Sequence, residues 1–159
     1  MPTIGTTIDV IRALHGEQTD LAGKPYWLHP VAVMALLPSD ASDDLRHAAL
    51  LHDVLEDVPN MTADFLRGLE YSARIVDIVE GVTRTPEKGT YKEWIASIAA
   101  SGDLEVIELK IADITHNLSE ERRAGITDPE KKKALFEMSH KRWNPALMLL
   151  LEARRNLKG

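Results

Sequence analysis

Four ionisable side chains, His52, Asp53, Glu56 and Asp57, stand inside the otherwise apolar stretch 48–58. On a helix of 3.6 residues per turn, His52 stacks on Glu56 and Asp53 on Asp57, and the two rows lie about 100° apart, so all four share one edge. Carboxylates crowded into two turns repel one another and weaken a helix, while the run 48–51, Ala-Ala-Leu-Leu, marks a helix entering a core. A bound cation is the simplest compensation. The alternative, a solvated helix end, leaves two acidic rows beside a buried run unexplained. The chain has no Cys, which excludes thiolate nucleophiles and cysteine-type zinc sites and leaves His, Asp and Glu as the strong metal ligands.

The elements that must position these groups read as helices throughout. Ile8, Ile11 and Leu14 give a helix over 7–15, which the loop 21–25 ends. Pro30 fits the first turn of a second helix running through Val31, Met34 and Leu37 to Pro38, which sets His29 at a helix start. Ser42 is a plausible N-cap for a central helix continuing from Asp43 until Val58-Pro59 stops it. Thr62 can cap a helix over 63–68, 72–82 forms another, and 83–89 reads as a polar loop. Thr90 and Glu93 form a capping-box pattern, Gly102 stops that helix, and Asp103 starts the next. There Ile107, Ile111, Ile114 and Leu118 make an apolar stripe, with Asp113 and Asn117 paired at i,i+4 beside it. Asp128-Pro129 opens a last helical region, 128–157, which Pro145 should kink or interrupt. No strand pattern occurs, so the fold class is all-α, a single-domain bundle of about six to eight helices over 1–159 with its motif-bearing core at about 8–118.

Composition narrows the class of function. With 44% hydrophobic and 28% charged residues the chain is an ordinary globular domain, and no stretch approaches the ~18 apolar residues of a membrane span. No basic and apolar leader precedes the first helix, so a cytoplasmic location is expected. The formal net charge of −6 argues against a broad nucleic-acid surface and leaves room for a local positive pocket. The apolar run 146–151 would suit a homodimer.

Candidate metal ligands are His29, His52, Asp53 and Asp113, at helix ends or polar edges, and spacing alone does not group them. Together with Gly23-Lys24-Pro25-Tyr26-Trp27-Leu28-His29-Pro30, the stretch 48–58, Gly81-Val82-Thr83 and Leu109-Lys110-Ile111-Ala112-Asp113-Ile114-Thr115-His116-Asn117, they resemble the HD superfamily of metal-dependent phosphohydrolases, in particular the hydrolase domain of RelA/SpoT-type enzymes and the small alarmone hydrolases. The resemblance runs in consistent order from about Leu14 to Asn117. It implies that His29, His52, Asp53 and Asp113 hold one divalent ion, usually manganese, with iron, zinc or cobalt as other ions such donors accept. It implies a water-handling role for Glu56 and Asp57, a sugar contact for Asn117, and hydrolysis of the 3′-pyrophosphate of a (p)ppGpp-like nucleotide. Lys110, one turn before Asp113, could face a phosphate, and Lys24 and Arg142 are further substrate-binding candidates.

One departure bears on substrate. Alarmone hydrolases carry an Arg-Lys pair shortly before the Gly-x-Pro-Tyr string, and counting back from Gly23 without a gap puts Gln18 and Thr19 there. Substitutes for the missing charge could be Arg12, Lys24, Arg84, Lys88 or the Lys141-Arg142 pair. The departure leaves open another nucleotide, such as an adenine alarmone or a nucleoside phosphate, while a binding module without turnover sits poorly with a complete ligand set. The other histidines, His15, His47, His116 and His140, read as surface or hydrogen-bonded residues, Trp27, Trp94 and Trp143 as core, and the run 130–133 as a solvated first turn.

Overall fold

Short polar side chains set most of the helix starts. In the computed structural model, which describes residues 1–159, Thr3 caps α1 (Ile4–His15), and Trp27 precedes α2 (Leu28–Ala35) without a side-chain cap. Ser42 caps α3 (Asp43–Leu51), and a single turn, α4 (Val54–Asp57), follows. Thr62 and Ser72 cap α5 (Ala63–Gly68) and α6 (Ala73–Val82), and Thr90 with Glu93 closes a reciprocal capping box on α7 (Tyr91–Ala100). Asp103 caps α8 (Leu104–Asn117), Ser119 caps the single turn α9 (Glu120–Arg123), and Asp128 caps α10 (Pro129–Met138) ahead of α11 (Asn144–Lys158). In each capped case the side-chain oxygen accepts a first-turn N–H that would otherwise lack a partner.

The fold is all-α, with only an isolated bridge, Thr19 to Pro25, closing the loop after α1. Two of the expected long helices are each broken, and the break in the last one brings the helices longer than one turn to nine, against the six to eight expected. The first break falls at His52 and Asp53, where the spacing predicted an unbroken helix over 43–58. His52 ends α3, and Asp53 takes φ −100°, ψ −3°, in the sparsely populated bridge region before α4. The four side chains therefore do not form one continuous helical edge: His52 and Asp53 sit at the joint, Glu56 and Asp57 on the turn beyond it. The second break is a π turn over Ser139–Trp143. Pro145 has no N–H to donate, and its ring crowds the carbonyl four residues back, so the α ladder cannot run straight through.

A cluster of 26 buried apolar residues fills the bundle. Ala48, Ala49, Leu50 and Leu51 of α3 are fully buried, and α8 is buried along most of its length. Helices α1, α2 and α6 pack on α3, and α2, α6 and α11 pack on α8. Gly81 lets α6 close onto α8, since a Cβ there would meet Val106 Cγ2 at 2.9 Å. Helix α11 is tied to α8 by the buried Glu108 carboxylate, 3.1 Å from Lys158 Nζ and 3.4 Å from Arg154 Nη1. In the run 146–151, Ala146 and Leu150 are buried whereas Met148 is 73% exposed. No helix is long and apolar enough to cross a membrane.

Candidate metal centre

Three elements bring four side chains to one point. His29 comes from the first turn of α2, His52 and Asp53 from the joint between α3 and α4, and Asp113 from the last turns of α8. Ligating atoms of His29, His52 and Asp53 lie within 4.8 Å of one another. Asp113 Oδ1 joins them at 3.0 Å from His29 Nε2 and 3.3 Å from His52 Nε2. Asp53 Oδ2 is 3.1 Å from His52 Nε2 and 3.6 Å from His29 Nε2.

The neighbours orient these groups. His52 Nδ1 donates to the Ala49 carbonyl at 2.7 Å, which turns the lone pair of Nε2 into the cluster. That buried Nε2 has no hydrogen-bond partner, and its nearest neighbours, the ionised Asp53 and Asp113 carboxylates, are acceptors themselves. An unpaired buried nitrogen facing two carboxylates is the feature a cation would satisfy, so the donor set fits a divalent metal. His29 Nδ1 lies 2.7 Å from His116 Nδ1, with the rings stacked at 24°. Burial first, then His29 and Arg122, lower the His116 pKa and keep that ring neutral, able to accept the His29 hydrogen. Tyr26 donates to Asp53 Oδ2 at 2.6 Å, and Lys110 Nζ donates to Asp113 Oδ2 at 2.8 Å while resting 4.5 Å over the Trp94 ring.

Charge holds the carboxylates ionised. Burial alone would raise Asp53, but His52 and His29 outweigh it and keep the group well below the ordinary range. Asp113 is likewise buried and likewise held well down, by Lys110 first and then by the bond from His29 and the nearby His52 ring. Glu56 and Asp57 go the other way. Partial burial raises both, as does the charge of Asp53, although the Arg84 N–H donating to Glu56 Oε1 at 2.6 Å works against it. The contrast separates two ionised ligands from two carboxyls with greater proton affinity.

The remaining candidates divide clearly. Asn117 Nδ2 donates to Asp113 Oδ1 at 3.4 Å and lines a cavity of about 210 Å³ together with Asp20, Leu21, Arg122, Met138 and Trp143. Arg142 lies elsewhere, on a cavity of about 290 Å³ with Tyr91, Lys92 and Lys141, its Cζ 5.3 Å over the Tyr91 ring. Lys24 is exposed and reaches the Glu121 carbonyl at 3.5 Å, not the cluster. Of the other possible substitutes for the missing cations, Arg12 stands over Trp27, Lys88 is bound to the Glu80 and Thr83 carbonyls, and Arg84 reaches the Gly89 carbonyl. Gln18 is occupied too: its Nε2 donates to the Asp57 carbonyl at 2.8 Å and its Oε1 lies 2.9 Å from His15 Nδ1. Sequence reading gave no role to Tyr26, only a surface or hydrogen-bonded one to His116, and none to Arg122. The first two lie inside motif strings, so their position was visible and only their partners were not.

Known proteins resemble this chain in sequence and in fold. The HD domain family profile matches residues 7–145. A guanosine-3′,5′-bis(diphosphate) 3′-pyrophosphohydrolase of Haemophilus influenzae is 34% identical over 135 residues, covering 79% of this chain and 19% of the relative. The bifunctional (p)ppGpp synthase/hydrolase SpoT of Escherichia coli K12 is 31% identical over 147 residues, covering 86% of this chain and 20% of the relative. The chain thus spans about a fifth of the length of these relatives. The solved structure of a metazoan ortholog of SpoT, which hydrolyses ppGpp and plays a role in starvation responses, matches 98% of this chain and 97% of its own at TM-score 0.65 and 20% identity, a likeness of fold.

Proposed function

This chain belongs to the HD domain family, and from that premise we propose that it is a metal-dependent phosphohydrolase removing pyrophosphate from the 3′ position of a (p)ppGpp-like nucleotide in the cytoplasm. HD domains bind divalent metals, and the observation that carries the reading here is the buried, unpartnered His52 Nε2 among His29, Asp53 and Asp113. The names of the Haemophilus and Escherichia relatives support the substrate class.

His29, His52, Asp53 and Asp113 would hold the ion, with manganese the expected one and iron, zinc or cobalt compatible with the same donors. A divalent ion in such a site acidifies water and offsets charge on a phosphoryl group. The chain's own residues do the rest. Tyr26 fixes the Asp53 carboxylate, Lys110 fixes Asp113, and His116 fixes the tautomer of His29. Glu56 or Asp57, with their raised proton affinity, takes one proton of the attacking water as its oxygen bonds to phosphorus and the bond from phosphorus to the 3′ oxygen breaks, and that proton, passed on from the carboxyl, lets the 3′ oxygen leave as the hydroxyl. Glu56 is braced for this by the Arg84 N–H. Asn117 contacts the sugar from beside Asp113, and Arg142 receives anionic phosphate at the cavity it shares with Tyr91. Lys110, already paired with Asp113, acts on the ligand rather than on a phosphate.

The test is release of pyrophosphate from ppGpp by the purified protein with manganese. Activity abolished in His52→Ala and Asp53→Ala supports the reading, whereas no release by the parent, or undiminished release by Asp53→Ala, refutes it.

A further inference from the structure

The cavity beside Asn117 contains a cation that the sequence did not point to. Arg122 stands on α9, 102 residues from Asp20 along the chain, and its Nη1 lies 3.4 Å from Asp20 Oδ2. Its side chain is 19% exposed and that of Asp20 only 9%. Asp20 Oδ1 is meanwhile occupied by the N–H groups of Ala22 and Lys24, each at 2.9 Å, so the carboxylate is fixed by its own loop. On another side, Arg122 Cζ is 6.0 Å from the centre of the Tyr26 ring. Carboxylate and ring together fix the guanidinium while using one of its five N–H donors, which leaves a rigid fork on the cavity wall.

The rest of that wall is apolar: Leu21, Ile126, Leu135, Met138 and Trp143. Such a slot suits a flat heteroaromatic ring, with the Trp143 ring available to it. At one side Asn117 connects the cavity to Asp113, and Tyr26 connects Arg122 to Asp53, so a base in the slot has its sugar near the metal ligands. Arg122 can only donate hydrogen bonds. Guanine presents two adjacent acceptors, O6 and N7, on one edge, whereas adenine presents a donor in place of O6.

We infer that Arg122, held by Asp20 and Tyr26, reads the base of the nucleotide and selects guanine over adenine. This deepens the function proposed above and rests on it. It also supplies a positive charge where Gln18 and Thr19 carry none, through a residue that pairs with the next one along, Asp20.

The test compares ppGpp with ppApp as substrates of the parent, Arg122→Lys and Arg122→Ala, all loaded with manganese and checked for folding by thermal melting. The parent is expected to prefer ppGpp by about tenfold or more in kcat/KM, the size of one bidentate base contact. Arg122→Lys keeps the charge and loses the fork, so its preference is expected to fall towards unity through a raised KM for ppGpp, with kcat little changed. A parent ratio near one, or variants that lose both substrates equally with the ratio intact, overturns the inference and leaves Arg122 a structural clamp. If the parent turns over neither compound, the proposed reaction fails; calorimetric binding of ppGpp and ppApp then decides on Arg122, equal affinities counting against it.

Discussion

Replacing His116 by Phe should weaken metal binding selectively, and the structure sets the size of the effect. Without metal, His29 can carry its hydrogen on Nε2 and donate to Asp113 Oδ1 at 3.0 Å, with Nδ1 then accepting from the other tautomer of His116. With metal, Nε2 must offer its lone pair, so the hydrogen moves to Nδ1 and requires an acceptor. His116 Nδ1, at 2.7 Å and buried, is that acceptor. Phe keeps the stacked ring and removes the acceptor, so the loaded state alone gains a buried unsatisfied donor, at a cost of about 1–3 kcal/mol. That corresponds to roughly 5- to 150-fold in affinity, in the range of 10–100-fold typical of lost ligand-orienting contacts. The assay is calorimetric titration of metal-free protein with manganese, alongside thermal melts in chelator. The expectation is a raised Kd with little change in the metal-free melting temperature. His116→Asn, whose amide oxygen can take the place of Nδ1, should recover part of the loss. A manganese affinity within twofold of the parent, or equal destabilisation of the loaded and metal-free forms, would refute the reasoning.

Glu56→Gln should lower pyrophosphate release by about 10²–10⁴-fold while leaving manganese affinity near that of the parent, since Glu56 sits beyond the ligands and contacts the Arg84 N–H; steady-state kinetics and titration together check this. Gly81→Ala should destabilise by about 1–3 kcal/mol, because the added methyl meets Val106 Cγ2 at 2.9 Å, and a double-mutant cycle with Val106→Ala should recover much of it in urea unfolding. His47 gives a pH dependence of stability. Its Nδ1 meets Thr7 Oγ1 at 2.9 Å in a buried group that includes Tyr71, and burial lowers its pKa although Asp43 and Asp44 oppose the shift. The unfolded chain therefore takes up the proton first, so this contribution is present above the ordinary histidine pKa of about 6.5 and is lost as pH falls through it. Between pH 7.5 and 5.5 the parent should lose more melting temperature than His47→Gln, and equal losses would contradict the assignment.

The parts legible in the sequence were those written locally. Ser42, Thr62, Thr90, Asp103 and Asp128 start helices where expected because a side-chain oxygen meets a backbone N–H only two or three residues ahead. The joint at His52 and Asp53 was hidden, since apolar spacing continues across it and the cause lies in tertiary convergence. His29 and Asp113 stand 84 residues apart, and only resemblance could group them. Arg122 was invisible for the same reason: its meaning comes from Asp20 and the cavity, neither of which leaves a mark near position 122. His116 was legible as a hydrogen-bonded residue, although its partner was not.

That 84-residue separation also bears on how the chain assembles. A local helix can form in microseconds, but His29, the joint after α3 and Asp113 can meet only when α2, α3 and α8 have all docked. Tight metal capture should accordingly be among the last events of refolding, and an ion bound across three elements would act as a latch that slows the first step of unfolding more than it speeds folding.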